Sequence, residues 1–189
     1  MSDRSAAINS DASDAGASIC IGCALCCNGT LFARAKIKDE TEDRHLSALG
    51  FTLLEVDGQR HFKQPCSYEK NCSCSIYESR PDVCRAFRCA LLKRHEAGEI
   101  DTASALEKIS KARALRAAVA DLDPEAADDG PRQVIQNRLA EQLQSATAEN
   151  RQLIARRLLN IVALETYLDR WFRKKKTGAV SDQAALPAD

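Results

Sequence analysis

Nine cysteines are the residues best suited to chemistry in this chain, and all of them lie between positions 20 and 89. Four fall within eight residues, in Cys20-Ile-Gly-Cys23-Ala-Leu-Cys26-Cys27. The others follow as Pro65-Cys66, Cys72-Ser-Cys74, Cys84-Arg85 and Cys89, and residues 90–189 contain none. Cysteine that only fills a core would be scattered. Two-residue spacings let neighbouring thiolates turn toward one point, which is what a soft metal ion or an iron–sulfur cluster requires.

A structural zinc site takes four thiolates at about 2.3 Å. A [4Fe–4S] cluster also takes four, from a compact run plus one distant residue. Eight candidate ligands could make two zinc sites, or one cluster with four thiols left over, and spacing leaves both open. Other thiol chemistries fit less well. Radical chemistry with thiols at i, i+4 and i+7 would need one at position 24, which is Ala24. The bacterial ferredoxin run would need one at position 30, which is Thr30. His45, His61 and His95 lack the spacing of a Cys2His2 finger. Cys20-x-x-Cys23 and Cys23-x-x-Cys26 have the spacing of thiol-exchange pairs, but no thioredoxin-like strand and helix precede them. His61, just before Cys66, is a further ligand candidate, with an ordinary surface histidine as the competing reading.

Several thiolates around a metal leave net negative charge. Arg80, Arg85 and Arg88 could offset it and donate hydrogen bonds to sulfur, and Tyr77 could add a polar contact. The competing reading makes Arg80 and Arg88 solvated helix residues and Tyr77 core.

The elements that must position these side chains follow from patterning. Thr30 to Lys38 alternates in polarity and reads as a half-buried strand. Asp39 to Leu49 reads as a short helix, acidic at its start and closed by Gly50. Phe51 to Val56 and Gln59 to Phe62 form a hairpin across Asp57-Gly58. Gln64 to Ser79 reads as loop. One helix is expected from Arg80-Pro81 to about Ala97, capped by Ser79, stopped at Gly98, with Cys84, Phe87, Leu91 and Leu92 inward. Asp101 to Leu122 is an alanine-rich amphipathic helix carrying Ala105, Leu106, Ile109, Ala112, Leu115 and Val119. Further helices are expected over Gln133–Ser145, with Val134 and Ile135, and over Ala148–Lys174. The stripe of the last includes Leu153, Ile154, Ile161, Val162, Leu164, Leu168, Trp171 and Phe172. The fold class is therefore α+β: a small cysteine- and metal-organised domain with a short hairpin, then an all-helical region. The expected divisions are a disordered leader at 1–18, the metal-binding domain at 19–98, and a helical region at 99–176. A linker is expected near 121–132 and a disordered tail at 177–189.

Composition bounds the partners. The 189 residues carry 27 basic and 27 acidic side chains, so nothing pulls the whole chain toward nucleic acid. Arg170-Trp-Phe-Arg-Lys-Lys-Lys176 is a basic helix end, which favourable charge at a helix C-terminus explains. The N-terminus lacks a secretory signal and no segment reaches a membrane span, so the expected location is cytoplasmic. Thiols stay reduced there, which favours metal over disulfides.

Together, Cys20-x-x-Cys23-x-x-Cys26-Cys27, Pro65-Cys66 and Cys74-Ser-Ile-Tyr77-Glu-x-Arg80-Pro81-x-x-Cys84-Arg85-x-Phe87 resemble the YkgJ-type cysteine cluster family. This is a zinc- or iron-chelating CxxCxxCC domain, and the resemblance spans roughly residues 19–95. It implies Cys20, Cys23, Cys26, Cys27, Cys66, Cys74 and Cys84 as ligands, Cys89 as an eighth, and Cys72 as the extra thiol. A larger relative, flagellin lysine-N-methylase, is associated with an iron–sulfur cluster, so a cluster-dependent protein-modifying enzyme is an alternative expectation. No methyl-donor site is recognisable here. A third expectation is an adaptor whose C-terminal helices bind a partner or a second copy.

Overall fold

The computed structural model describes residues 19–120 and 139–173. The expected leader, the 121–132 linker, the tail, and the helix residues Val134 and Ile135 lie outside the described residues.

The N-terminal half is built on a three-stranded antiparallel sheet of order β1-β3-β2, with β1 Arg34–Lys36, β2 Leu53–Val56 and β3 Gln59–Lys63. Asp57 and Gly58 both adopt positive φ, at 52° and 68°. Such a turn matches the twist of the two strands it joins. The expected strand at Thr30–Lys38 shortens to β1, because Leu31 turns back to donate to the Leu25 carbonyl at 2.9 Å, and before β1 only the Ala33 carbonyl continues the pairing, accepting from Gln64. Helix α1, Glu40–Ala48, starts where the Asp39 carboxylate accepts the Glu42 N–H at 2.9 Å. Gly50 follows it with φ +74°. Phe62 of β3 is buried with Ile37, Leu46 and Phe51 in a core between sheet and helix.

The stretch expected to be loop at 64–79 contains a small ribbon, β4 Glu69–Lys70 paired antiparallel to β5 Ser73–Cys74. The single helix expected from Arg80 to Ala97 is two: α2 Asp82–Ala86 and α3 Ala90–Glu96. Phe87 leaves the helical region with ψ 128°, and Cys89 with ψ 167° becomes the N-cap of α3. Pro81, not Ser79, occupies the N-cap of α2. Gly98 ends the second helix with φ +73°.

Helices α4, Thr102–Ala120, and α5, Ala148–Trp171, pack antiparallel. Asn160 of α5 donates to the Ala118 carbonyl at 3.0 Å near one end, and Lys108 lies over the Trp171 ring near the other. Ala105, Ile109 and Ala112 face Leu164 and Leu168 in a second core. Leu106, Leu153 and Val162, expected on the packing stripes, are exposed instead. This core also takes in Ile19, Leu25, Leu31, Leu91 and Phe172, so the cysteine loop and the C-terminal helices share buried surface. The architecture is α+β, with sheet elements early and helices after. No helix of the described residues is long and apolar enough to cross a membrane.

Candidate metal centre

The cysteine run folds back on itself. Cys23 donates to the Cys20 carbonyl at 3.2 Å, and Cys27 and Asn28 both donate to the Ala24 carbonyl at 2.9 Å. Gly22 at φ +84° and Ala24 at φ +53° supply the reversals. Leu25, fully buried between these thiols, anchors the loop in the core shared with the helices. A run of alternating thiols and one deep anchor thus holds the cysteines at the core surface instead of within it.

Backbone bonds bring the second block onto the first. Cys66 donates its N–H to the Cys27 carbonyl at 2.7 Å, and Gly22 donates to the Cys72 carbonyl at 3.0 Å. The ribbon turns at Asn71 and Cys72, both with positive φ, and the Glu69 carboxylate accepts the Cys72 N–H at 2.7 Å. That turn leaves Cys74 opposite Glu69.

Cys84 lies on α2, and the residue that fixes it is Glu42, which sequence reasoning missed. The buried Glu42 carboxylate accepts the Val83 N–H at 2.7 Å and the Lys38 N–H at 2.9 Å. It thereby satisfies a donor of the α2 first turn that the Pro81 cap leaves open. Its only sequence signal was an acid in the first turn of α1, where it reads as a dipole partner. Cys89 caps α3, its sulfur accepting the Leu92 N–H at 3.4 Å.

All nine cysteines line one cavity of about 480 Å³. They divide between the two cores: Cys23, Cys26 and Cys89 pack against the helix-side core, Cys66 and Cys84 against the sheet-side core. Electrostatic proximity follows this division in part, although Cys84 responds to Cys26 as well as to Cys66. Cys20 and Cys23 respond to Cys26 and Cys89, while Cys27 responds to Cys84 and Cys66 as well as to its neighbour Cys26. The seam is Cys26–Cys27, whose sulfurs stand 3.7 Å apart. The two adjacent thiols therefore do not point away from one another. Among the described residues, no three Cys, His, Asp or Glu side chains converge closely enough to hold an ion as they stand. The thiols line a basin; they do not meet at a point. His61 is not on that lining, and its Nδ1 lies 2.9 Å from the Gln59 carbonyl.

Burial sets the charge state of the thiols. It pushes Cys20 up to about 11, and Cys23 and Cys84 up to about 12. It also raises Cys66 and Cys89. Cys26 moves the other way, chiefly through its hydrogen bond with the Cys27 thiol, and the same contact raises Cys27, so the pair favours a single thiolate. A metal cation supplies the charge that would let the raised thiols ionise. Nine sulfur donors around one cavity suit a thiophilic metal, so the donor set fits zinc, iron or an iron–sulfur cluster.

A thiol-lined basin of this kind defines a metal-binding class. Residues 19–111 match the family model described as "CxxCxxCC: Putative zinc- or iron-chelating domain", and this segment of the chain belongs to that family. No curated protein and no solved structure matches the chain.

Proposed function

We propose that the chain is an iron–sulfur protein in which Cys20, Cys23, Cys26 and Cys89 hold a [4Fe–4S] cluster. In this reading Cys27, Cys66, Cys74 and Cys84 form a second, adjoining four-thiolate metal site. The observation that carries the reading is the size of the basin. A single ion bonded to four thiolates at about 2.3 Å fills the space between them. A cavity of about 480 Å³, with the nine thiols on its lining among apolar and basic side chains, instead has room for a body of several atoms. Three thiols at two-residue spacing plus one remote thiol is also the ligand pattern of a [4Fe–4S] cluster. The packing of Cys26 on one core and of Cys66 and Cys84 on the other supports two sets, and the proximity of Cys27 to Cys84 and Cys66 supports placing it with them. The cluster supplies one-electron chemistry when bound; this chain supplies the ligands, the desolvated walls and the charge around them.

One observation favours zinc as a second reading. The edge of a tetrahedron with bonds of about 2.3 Å is about 3.8 Å. The Cys26 and Cys27 sulfurs are 3.7 Å apart, which places both within reach of one small ion.

Single Cys→Ser variants test the allocation. Cys89→Ser is expected to lose the broad visible absorption while retaining any metal of the second set. Cys84→Ser is expected to do the reverse. Cys72→Ser is expected to keep wild-type metal content. Equal loss of iron in all three would remove the two-set reading.

A further inference from the structure

Three arginines surround the basin, and their side chains are used differently. Arg85 is a loop clamp: its Nε donates to the Arg80 carbonyl at 2.9 Å and its guanidinium also donates to the Glu78 carbonyl. Arg88 is paired, with Nε on the Glu96 carboxylate at 2.9 Å and one terminal nitrogen on the Arg85 and Phe87 carbonyls at 2.6 Å and 3.1 Å. Arg80 differs from both. Its guanidinium carbon lies 3.8 Å from the centre of the Tyr77 ring, which holds the plane in place. Its Nε is buried and has no partner among the described residues. Arg80 lines the cavity together with the cysteines.

An unmet buried N–H on a permanently charged guanidinium costs more than a neutral one. The fold retains it here at the wall of a basin whose other lining groups include nine sulfurs. Sulfur is the acceptor that such a donor meets at an iron–sulfur site, and hydrogen bonds and net charge at the sulfurs are two of the factors that set a cluster's potential. The Arg80 charge already reaches the helix-side set, where it favours the thiolates of Cys20 and Cys26 against the larger opposing effect of burial at Cys20.

We propose that Arg80 is a positioning residue for the helix-side thiolates: it donates Nε–H to their sulfur, offsets their negative charge, and raises the reduction potential of the cluster they hold. This rests on the cluster reading above. A positive charge beside the site stabilises the reduced state, which carries one more electron, so removing it must lower the potential. Arg88 also favours the Cys20 thiolate, and by more than Arg80 does there, but its Nε is already bonded to Glu96, so it brings charge without the unmet Nε–H of Arg80.

The test is an optical redox titration of the anaerobically purified full chain as wild type, R80Q, R80K and R88Q, with iron content measured on each. R80Q is expected to shift the reduction equilibrium toward the oxidised form at least tenfold, which is about 59 mV for a one-electron couple. R80K keeps the charge without the planar donor and is expected to shift in the same direction by less. R88Q removes charge but no unmet donor and is expected to shift in the same direction by less than R80Q; a shift as large as that of R80Q would overturn the distinct role of Arg80. Iron-loaded R80Q with the wild-type potential overturns the role of Arg80 and leaves the cluster reading standing. Lower iron content in R80Q with an unchanged potential in the remainder overturns it equally, because that is what a merely structural role would do. If R80Q holds no cluster, R80K decides: a lowered potential supports the proposal and a wild-type one overturns it. A wild-type chain that holds zinc and no iron overturns the cluster reading and this inference together.

Discussion

The backbone N–H of Cys66 donates to the carbonyl of Cys27 at 2.7 Å, joining two cysteine blocks that lie thirty-nine positions apart. The bond is independent of any sulfur contact. It means that the two halves of the basin are held in register by the backbone as well as by any shared metal. What the metal adds is neutralisation of thiolates that burial would otherwise keep protonated.

Glu42 should matter as much to the site as a cysteine does. Its two charge-assisted bonds, to Val83 and Lys38, are each of a kind that contributes about 1.5–3 kcal/mol. Glu42→Ala is expected to destabilise the metal-loaded protein by about 3 kcal/mol in urea denaturation. Because Val83 precedes Cys84, the same variant should lose metal from the second set first. Wild-type stability and metal content in this variant would show that α2 is held by other means.

The visibility of these features in the sequence followed their range. Asp57-Gly58 and Gly98 were legible because a turn or helix stop depends on the conformational freedom of one or two residues. The clustering of cysteines was legible as composition. The break between α2 and α3 was not, because Phe87-Arg88-Cys89 contains neither glycine nor proline. It is stabilised through space, by the edge-on contact of Phe87 with Phe32 at 5.2 Å and by Cys89 capping α3. Glu42 was invisible for the same reason: its partner Val83 is forty-one positions away. Leu106 and Val162 read as core by helical spacing, but the small Ala105 and Ala112 let the helices approach along a neighbouring stripe and leave them outside.

The C-terminal helices should be inseparable from the cysteine domain. Phe172 is 2% exposed, packs in the core that holds Leu25 and Leu31, and lines the basin. Its carbonyl accepts the Ala90 N–H at 2.9 Å, beside Cys89. Phe172→Ala keeps that backbone bond but opens a cavity, at an expected cost of about 3–5 kcal/mol. Deleting residues from 131 onward should give a chain that no longer retains metal. A soluble, metal-loaded truncation would instead mark the helices as a separate module.

The apo protein should lose stability in alkali. The folded thiols of Cys23 and Cys84 are raised from an ordinary value of 9.0 to about 12 by burial, so between those values the unfolded chain sheds protons that the folded chain keeps. Stability falls with pH wherever the unfolded state binds fewer protons. The contribution is therefore complete below pH about 9 and fades as pH rises toward about 12. Thermal denaturation of metal-free, reduced protein across that range should show a falling midpoint. Metal-loaded protein, with its thiolates already ionised, should show a flatter curve. A midpoint for the apo protein that stays constant from neutral pH to about 11 would contradict the burial of these thiols.

The central claim is most directly tested by anaerobic purification of the full chain followed by an absorption spectrum with iron, sulfide and zinc analysis. A brown protein is expected, with broad absorption near ~400 nm and acid-labile sulfide in proportion to iron. A colourless protein holding about two zinc ions and no sulfide would contradict the cluster and leave the zinc reading in its place.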